Sequence, residues 1–193
     1  MLRKVKQLNA LVVARKENSM DENAKGSLES IEDEQKDKFL TFKIGDEFYG
    51  LEIHYVIEII GMQKITEIPE QPSQIKGVIN LRGNIIPTMD IRARFNKEVR
   101  EYDERTCTIV IKVGGNRIGL IVDRVSEVIT IDGKNISNPP NLNMDEKNYY
   151  INGIARTNEN IIILLDCMKL VKQKDVELNE MGEKEKGGMG GEA

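Results

Sequence analysis

Apolar and polar residues alternate in several short runs of this chain. Leu40, Phe42 and Ile44 alternate with Thr41 and Lys43, and Cys107, Ile109, Ile111 and Val113 alternate with Thr108 and Lys112. A two-residue period puts the apolar side chains on one face of an extended backbone, so each run predicts a strand with one buried face. The turns that follow, Gly45-Asp46-Glu47 and Gly114-Gly115-Asn116, supply residues that accept positive φ. Phe48 to Ile53 and Ile118 to Val122 then read as return strands of two hairpins. Two more hairpins are predicted, one with Val78 to Leu81 and Asn84 to Met89 around Arg82 and Gly83, the other with Tyr150 to Arg156 and Ile161 to Leu165 around Thr157 to Asn160. After the first hairpin, Ile53, Val56, Ile57 and Ile60 fall at helical spacing and Gly61 is placed to end a helix, so a short helix is predicted there. The later stretch Val125 to Ile131 is more strand-like.

These elements come in two sets. Residues 42–60 align without a gap on 111–129, keeping Gly45/Gly114, Gly50/Gly119, Leu51/Leu120, Val56/Val125 and Glu58/Glu127. Residues 77–95 align on 153–171, keeping Gly77/Gly153, Asn84/Asn160, Ile85/Ile161, Ile86/Ile162 and Asp90/Asp166. The chain is two copies of one unit, and four or five short strands per copy escape exposed edges by closing into a small barrel. The expected architecture is mainly β, two packed five-stranded barrels with short helices. Asp90 and Asp166 stand where a strand gives way to a short apolar segment, which suits an N-cap. The connections differ: 61–76 is the shorter, and 130–152, rich in Asn and Pro, reads as an exposed loop.

The ends are unlike the middle. Residues 38–172 are expected to form the folded region, with approximate halves 38–98 and 104–172 whose strands are open to exchange. Segment 173–193 is glycine-rich and charged, and is expected to be disordered. Residues 1–37 are expected to be a flexible or weakly helical extension. Residues 1–19 are basic and partly apolar, compatible with a weak amphipathic helix, with a frayed extension, or with a leader upstream of a true start at Met20.

Charge and composition remove several function classes. The formal charge of −4 resides in the ends, because residues 38–172 hold 18 Lys plus Arg against 18 Asp plus Glu. A neutral domain, in a chain with 5% aromatic residues, lacks the basic field that nucleic-acid binding requires. Cys107 and Cys167 lie in apolar runs without metal-ligand spacing, so reduced thiols in a cytoplasmic protein are the simplest reading and a disulfide the alternative. No run of 18 apolar residues or signal-peptide pattern is present, so a soluble, unexported protein is expected. The lone histidine, His54, has no nucleophile motif near it, and neither glycine-rich stretch fits a phosphate loop. No catalytic constellation, metal site or cofactor site is expected.

One segment breaks the symmetry of the copies. Asn80, Leu81, Arg82 and Gly83 correspond to Arg156, Thr157, Asn158 and Glu159. What both copies share serves as scaffold; what one copy alone carries is where a specific function belongs. Strand alternation places Asn80 and Arg82 on the face opposite Ile79 and Leu81, with Arg82 at the hairpin tip. Arg82 then reads either as a surface arginine paired with a nearby carboxylate beside a simple turn glycine, or as a recognition anchor next to an apolar patch. Pro87, lacking an N–H, suggests that the following strand lies at an edge.

The segment GVINLRGNIIPTMDIR, preceded by FYGLEIHYVIEIIG and followed by IGLIVDRVSEV, resembles the CheW family of bacterial chemotaxis coupling proteins over about residues 38–172. The resemblance implies two five-stranded, SH3-like barrels and a non-catalytic adaptor that joins the regulatory domain of the histidine kinase CheA to the cytoplasmic tips of methyl-accepting chemoreceptors. The CheA regulatory domain shares the fold, but this chain has no room for a kinase or dimerisation region and no receiver domain. By the same resemblance, receptor binding falls to Arg82 and Gly83, with Asn80 and Leu81 beside them and Glu58 and Val56 from the first copy. Val56 also fits an apolar stripe, and both Val56 and Glu58 recur as Val125 and Glu127. Kinase-contact residues are not assigned. The implied location is the inner face of the membrane, in receptor arrays, without insertion into the bilayer. A double barrel that binds RNA or a small ligand in a barrel mouth is the competing reading.

Overall fold

The structure is a computed structural model that describes residues 8–9, 37–139, 150–157 and 160–171. Among the described residues eleven strands form two sheets: β1 (Lys38–Ile44), β2 (Glu47–Glu52), β3 (Val56–Gly61), β4 (Ile75–Leu81), β5 (Asn84–Asp90), β6 (Cys107–Val113), β7 (Asn116–Val122), β8 (Arg124–Thr130), the two-residue β9 (Ile136–Ser137), β10 (Ile151–Arg156) and β11 (Ile161–Leu165). Sheet 1 has the order β8-β1-β2-β11-β10-β9 and sheet 2 the order β3-β6-β7-β5-β4. The predicted pair of small β-barrel subdomains is present, with six strands in one because β9 adds two residues at its margin.

Each sheet mixes the two sequence copies. Hairpin β1–β2 of the first copy lies between β8 and β11 of the second, and hairpin β6–β7 of the second lies between β3 and β5 of the first. The sheets share one register at their centres. β5 runs parallel to β7 through Thr88↔Gly119, and β11 runs parallel to β2 through the equivalent Leu164↔Gly50. The shared glycines follow from this packing. A Cβ on Gly119 would meet the Thr108 side chain at 2.7 Å, and one on Gly50 would meet Leu164 at 2.9 Å.

Both sheets bury their inner faces in one continuous core. Leu40, Phe42 and Leu51 of sheet 1 pack with Ile59, Ile109, Ile111 and Leu120 of sheet 2. A smaller cluster is buried on the other face of each sheet: Phe39, Ala155, Ile162 and Leu164 on sheet 1, and Ile79, Ile86 and Val110 on sheet 2. Removal of this much apolar surface from water is the main stabilising term of the fold.

The helical pieces are short and capped as the sequence predicts. Asp90 accepts hydrogen bonds from the N–H groups of Arg92 and Ala93 and starts α1 (Ile91–Arg94), and Asp166 accepts from Lys169 N–H and starts α2 (Cys167–Leu170). The helix expected from Ile53 to Ile60 is not there. Only Ile53–Tyr55 turns, as one 3₁₀ turn, and Val56–Gly61 is strand β3, bulged between Val56 and Glu58 against β6. The β-branched run Val56, Ile57, Ile59, Ile60 suits a pleated surface, and pairing with β6 satisfies the backbone, so sheet context overrides the helical spacing. Pro87 also departs from expectation. β5 is an inner strand, but its pairing with β7 begins at Thr88, so Pro87 sits just where no N–H is required by that neighbour.

Cys107 and Cys167 are free and buried, as the simplest reading expected. The expected disorder of 173–193 lies outside the described residues, as do most of 1–37 and part of the Asn- and Pro-rich loop. Of the N-terminal segment, Leu8 and Asn9 are described, and they are helical.

Candidate functional site

The hairpin that joins β4 to β5 is a two-residue loop with both central residues at positive φ, Arg82 at 54° and Gly83 at 87°. Such a loop matches the right-handed twist of its flanking strands, and Gly83 suits its position because glycine takes positive φ at no steric cost. Asn80 helps hold the less usual arginine in this conformation, since its Oδ1 accepts the Gly83 N–H at 2.8 Å.

That geometry aims Arg82 back across the sheet toward β3. Its Nη2 lies 2.8 Å from Glu58 Oε2 and its Nη1 3.4 Å from Glu58 Oε1. The two side chains differ in access, 77% exposed for Arg82 and 13% for Glu58. Glu58 is thus the sunken partner that orients a guanidinium still open to a visitor. Because the pair faces water, it contributes little to folding, about 0–1 kcal/mol, and its value lies in orientation. Around it Ile57, Ile60, Ile65 and Leu81 stand half-buried over Ile79, Ile86 and Val110, giving an apolar floor beside a fixed charge.

The equivalent place on sheet 1 is chemically different. In the repeat alignment Glu127 matches Glu58, but Asn158 corresponds to Arg82, Thr157 to Leu81, Ser126 to Ile57 and Thr41 to Val110. The result is a cleft of about 270 Å³ lined by Thr41, Phe48, Glu127, Ile129, Thr157, Asn160 and Ile162. Thr41 Oγ1 bonds both backbone groups of Glu127, donating to its C=O and accepting its N–H, so that strand is held by a buried hydroxyl where sheet 2 has an apolar floor.

Five of the six residues singled out by the sequence therefore meet in one place: Glu58, Asn80, Leu81, Arg82 and Gly83. Val56 does not join them. It is 4% exposed within the main core, and its repeat Val125 packs against the same core, so it supports the strand that carries Glu58. His54 is a surface residue whose ring lies 3.2 Å from Glu52 and stacks near Tyr55. Sequence reasoning passed over Leu8 and Asn9, which contact β3 next to Glu58; the only signal was the partly apolar character of residues 1–19.

Among the described residues no group of three or more His, Cys, Asp or Glu is arranged to hold a metal, and no helix is long and apolar enough to cross a membrane. The fold is a double barrel with the Arg82–Glu58 pair on one barrel. Comparison with known proteins gives the family. The model of the CheW-like domain matches residues 38–175, and the chain belongs to that family. It is 37% identical to the chemotaxis protein CheW of Klebsiella aerogenes over 141 residues, covering 73% of this chain and 85% of that one. It is 32% identical to CheW of Treponema pallidum, covering 77% and 89%. Among solved structures, the scaffolding protein TtCheW from Thermoanaerobacter tengcongensis superposes with a TM-score of 0.66 at 37% identity, covering 74% of this chain and 92% of that one.

Proposed function

We propose that the chain is a non-catalytic adaptor that couples the histidine kinase CheA to the cytoplasmic tips of methyl-accepting chemoreceptors. The observation that carries this reading is the Arg82–Glu58 pair over its apolar floor, present on one barrel and absent from the other. An open guanidinium next to half-buried isoleucines is the composition of a protein recognition anchor. A surface of this kind on one barrel suits receptor docking and leaves the remaining outer strands for the kinase. Ile85 and Ile161, equivalent in the repeat and 57% and 60% exposed, mark one apolar position on each barrel for further contacts.

The mechanism is co-localisation. An adaptor that binds both partners raises the local concentration of one beside the other, so pairwise affinities in the micromolar range, about −8 kcal/mol each, suffice to build an array. The protein then works on the inner face of the membrane, recruited by receptors.

The test mixes the purified chain with the CheA regulatory domain and with a receptor signalling-tip fragment, separately and together, by calorimetry. Binding to both is expected, with Arg82→Asp abolishing receptor binding and leaving kinase binding intact. Equal loss of both would refute separate surfaces, and binding to neither would refute the adaptor.

A further inference from the structure

β3 is the margin strand of sheet 2, and it carries Glu58. A margin strand presents backbone N–H and C=O groups that invite another chain, and folded proteins cover or blunt such margins. At Ile59 the cover comes from the chain's own N-terminal segment. Asn9 Oδ1 accepts the Ile59 N–H at 2.7 Å, and Asn9 Nδ2 donates to the Ile59 C=O at 2.5 Å. A carboxamide carries the donor and acceptor of a peptide unit, so this one side chain does for Ile59 what a neighbouring strand would do. The preceding residue, Leu8, is 6% exposed and belongs to the main core cluster that also holds Ile59 and Val56. Leu8 and Asn9 are both helical, and 50 residues separate Asn9 from its partner, so this is tertiary docking.

We infer that Leu8 and Asn9 form an intramolecular plug, which occupies the β3 margin one residue from Glu58 and competes with a partner helix for that margin. The site it fills has two demands: an apolar side chain for the core opening, and an adjacent amide for the two backbone groups of Ile59. A partner helix offering a leucine–asparagine pair, or one of the same chemistry, would displace the plug and gain both. The competition half of this inference rests on the adaptor reading; the docking half does not. Two neutral hydrogen bonds and one leucine, tethered in cis, form a modest contact that weakens a partner's apparent affinity about tenfold without abolishing it.

The full-length chain and its Asn9→Ala and Leu8→Asp variants test both halves. Asn9→Ala is the mild change and keeps the test valid if Leu8→Asp fails to fold. Docking is read from amide hydrogen exchange: in Asn9→Ala the Ile59 N–H should exchange about fivefold faster or more, while the Asp90 N–H, bonded to the Gln74 carbonyl, should not change. Unchanged exchange at Ile59 overturns the plug. Competition is read by calorimetry with the receptor signalling-tip fragment, which should bind Asn9→Ala about tenfold more tightly than the wild type. Equal affinity, with exchange at Ile59 raised, overturns the competition and leaves the docking standing. A fragment that binds neither protein overturns the competition together with the adaptor reading, while the exchange result still decides the docking.

Discussion

Arg82, in the β4–β5 turn, and Glu58, on β3, are 24 residues apart and join through a guanidinium that is open to solvent and a carboxylate that is not. On the proposed adaptor reading, this asymmetry gives them different jobs, contact for Arg82 and orientation for Glu58. Arg82→Asp should leave the melting temperature nearly unchanged, with a stability change within about 0.5 kcal/mol, because the pair is exposed at one end and aspartate tolerates the positive φ of the turn. Glu58→Gln should weaken receptor binding less than Arg82→Asp does, since the arginine remains but loses its guide. Calorimetry with the receptor fragment, alongside thermal unfolding, checks both. A larger loss from Glu58→Gln than from Arg82→Asp would reverse the assigned roles.

Gly77 is irreplaceable for a backbone reason. Its φ is 131°, and a Cβ there would stand 2.1 Å from the Thr66 carbonyl oxygen. Thr66 cannot retreat without cost, because it exchanges two hydrogen bonds with Val78 at 2.8 and 2.9 Å and so covers the margin of β4. Gly77→Ala should therefore destabilise the protein by about 2–4 kcal/mol, through strain and loss of the Thr66 bridge, and raise hydrogen exchange at Thr66 and Val78. Chemical denaturation measures the first, and a change under 1 kcal/mol would show that the loop yields easily.

Much of this arrangement is legible in the sequence because it is local. Alternation gives β1 and β6, the flanking turns give the rest of the four hairpins, and the repeated Asp90 and Asp166 give the caps, since an N-cap needs only its own next turn. The repeat also separates shared scaffold from the Asn80–Gly83 turn found in one copy. What the sequence does not disclose is long-range. Val56–Gly61 shows helical spacing, and only its partner β6 makes it a strand. The mixing of copies between sheets is invisible to a repeat alignment, which matches copies without saying where each packs. Asn9 lacks any local mark, because its partner lies on another element altogether.

Asp123 links three parts of the structure and should make stability depend on acid pH. Its carboxylate accepts from Arg92 Nε and Nη2 at 2.7 and 2.6 Å and from the Gly45 N–H at 2.7 Å, tying α1 to the β1–β2 turn. Burial by itself raises this carboxyl, but the bonds from Arg92 and Gly45 outweigh it and leave it below the ordinary 3.8. A depressed carboxyl contributes stability that is complete above its unfolded value and is lost as pH falls through its lower folded value. Asp123→Asn should therefore be about 2 kcal/mol less stable than the wild type at pH 7, and the gap should narrow below about pH 4. Denaturation series at pH 7, 4 and 3 measure it, and a gap that widens toward acid would contradict the assignment.

Because hairpins β1–β2 and β6–β7 each complete the sheet built mainly from the other copy, neither half of the chain carries a barrel of its own. A fragment 38–98 would hold β3, β4 and β5 but lack the β6–β7 hairpin that joins β3 to β5, and its own β1–β2 hairpin would have no partner strand. The core divides in the same way, since Ile59 and Met89 from the first copy pack with Ile109, Leu120 and Leu165 from the second. A half chain of about 60 residues deprived of half its core contacts falls below the size at which burial offsets chain entropy. Fragments 38–98 and 104–172 should thus be unfolded when separate, by circular dichroism and amide shift dispersion, and should regain structure when mixed in equal amounts. Cooperative folding of either fragment alone would show that each copy can close on its own hairpin, and that the mixed arrangement is a choice between two packings.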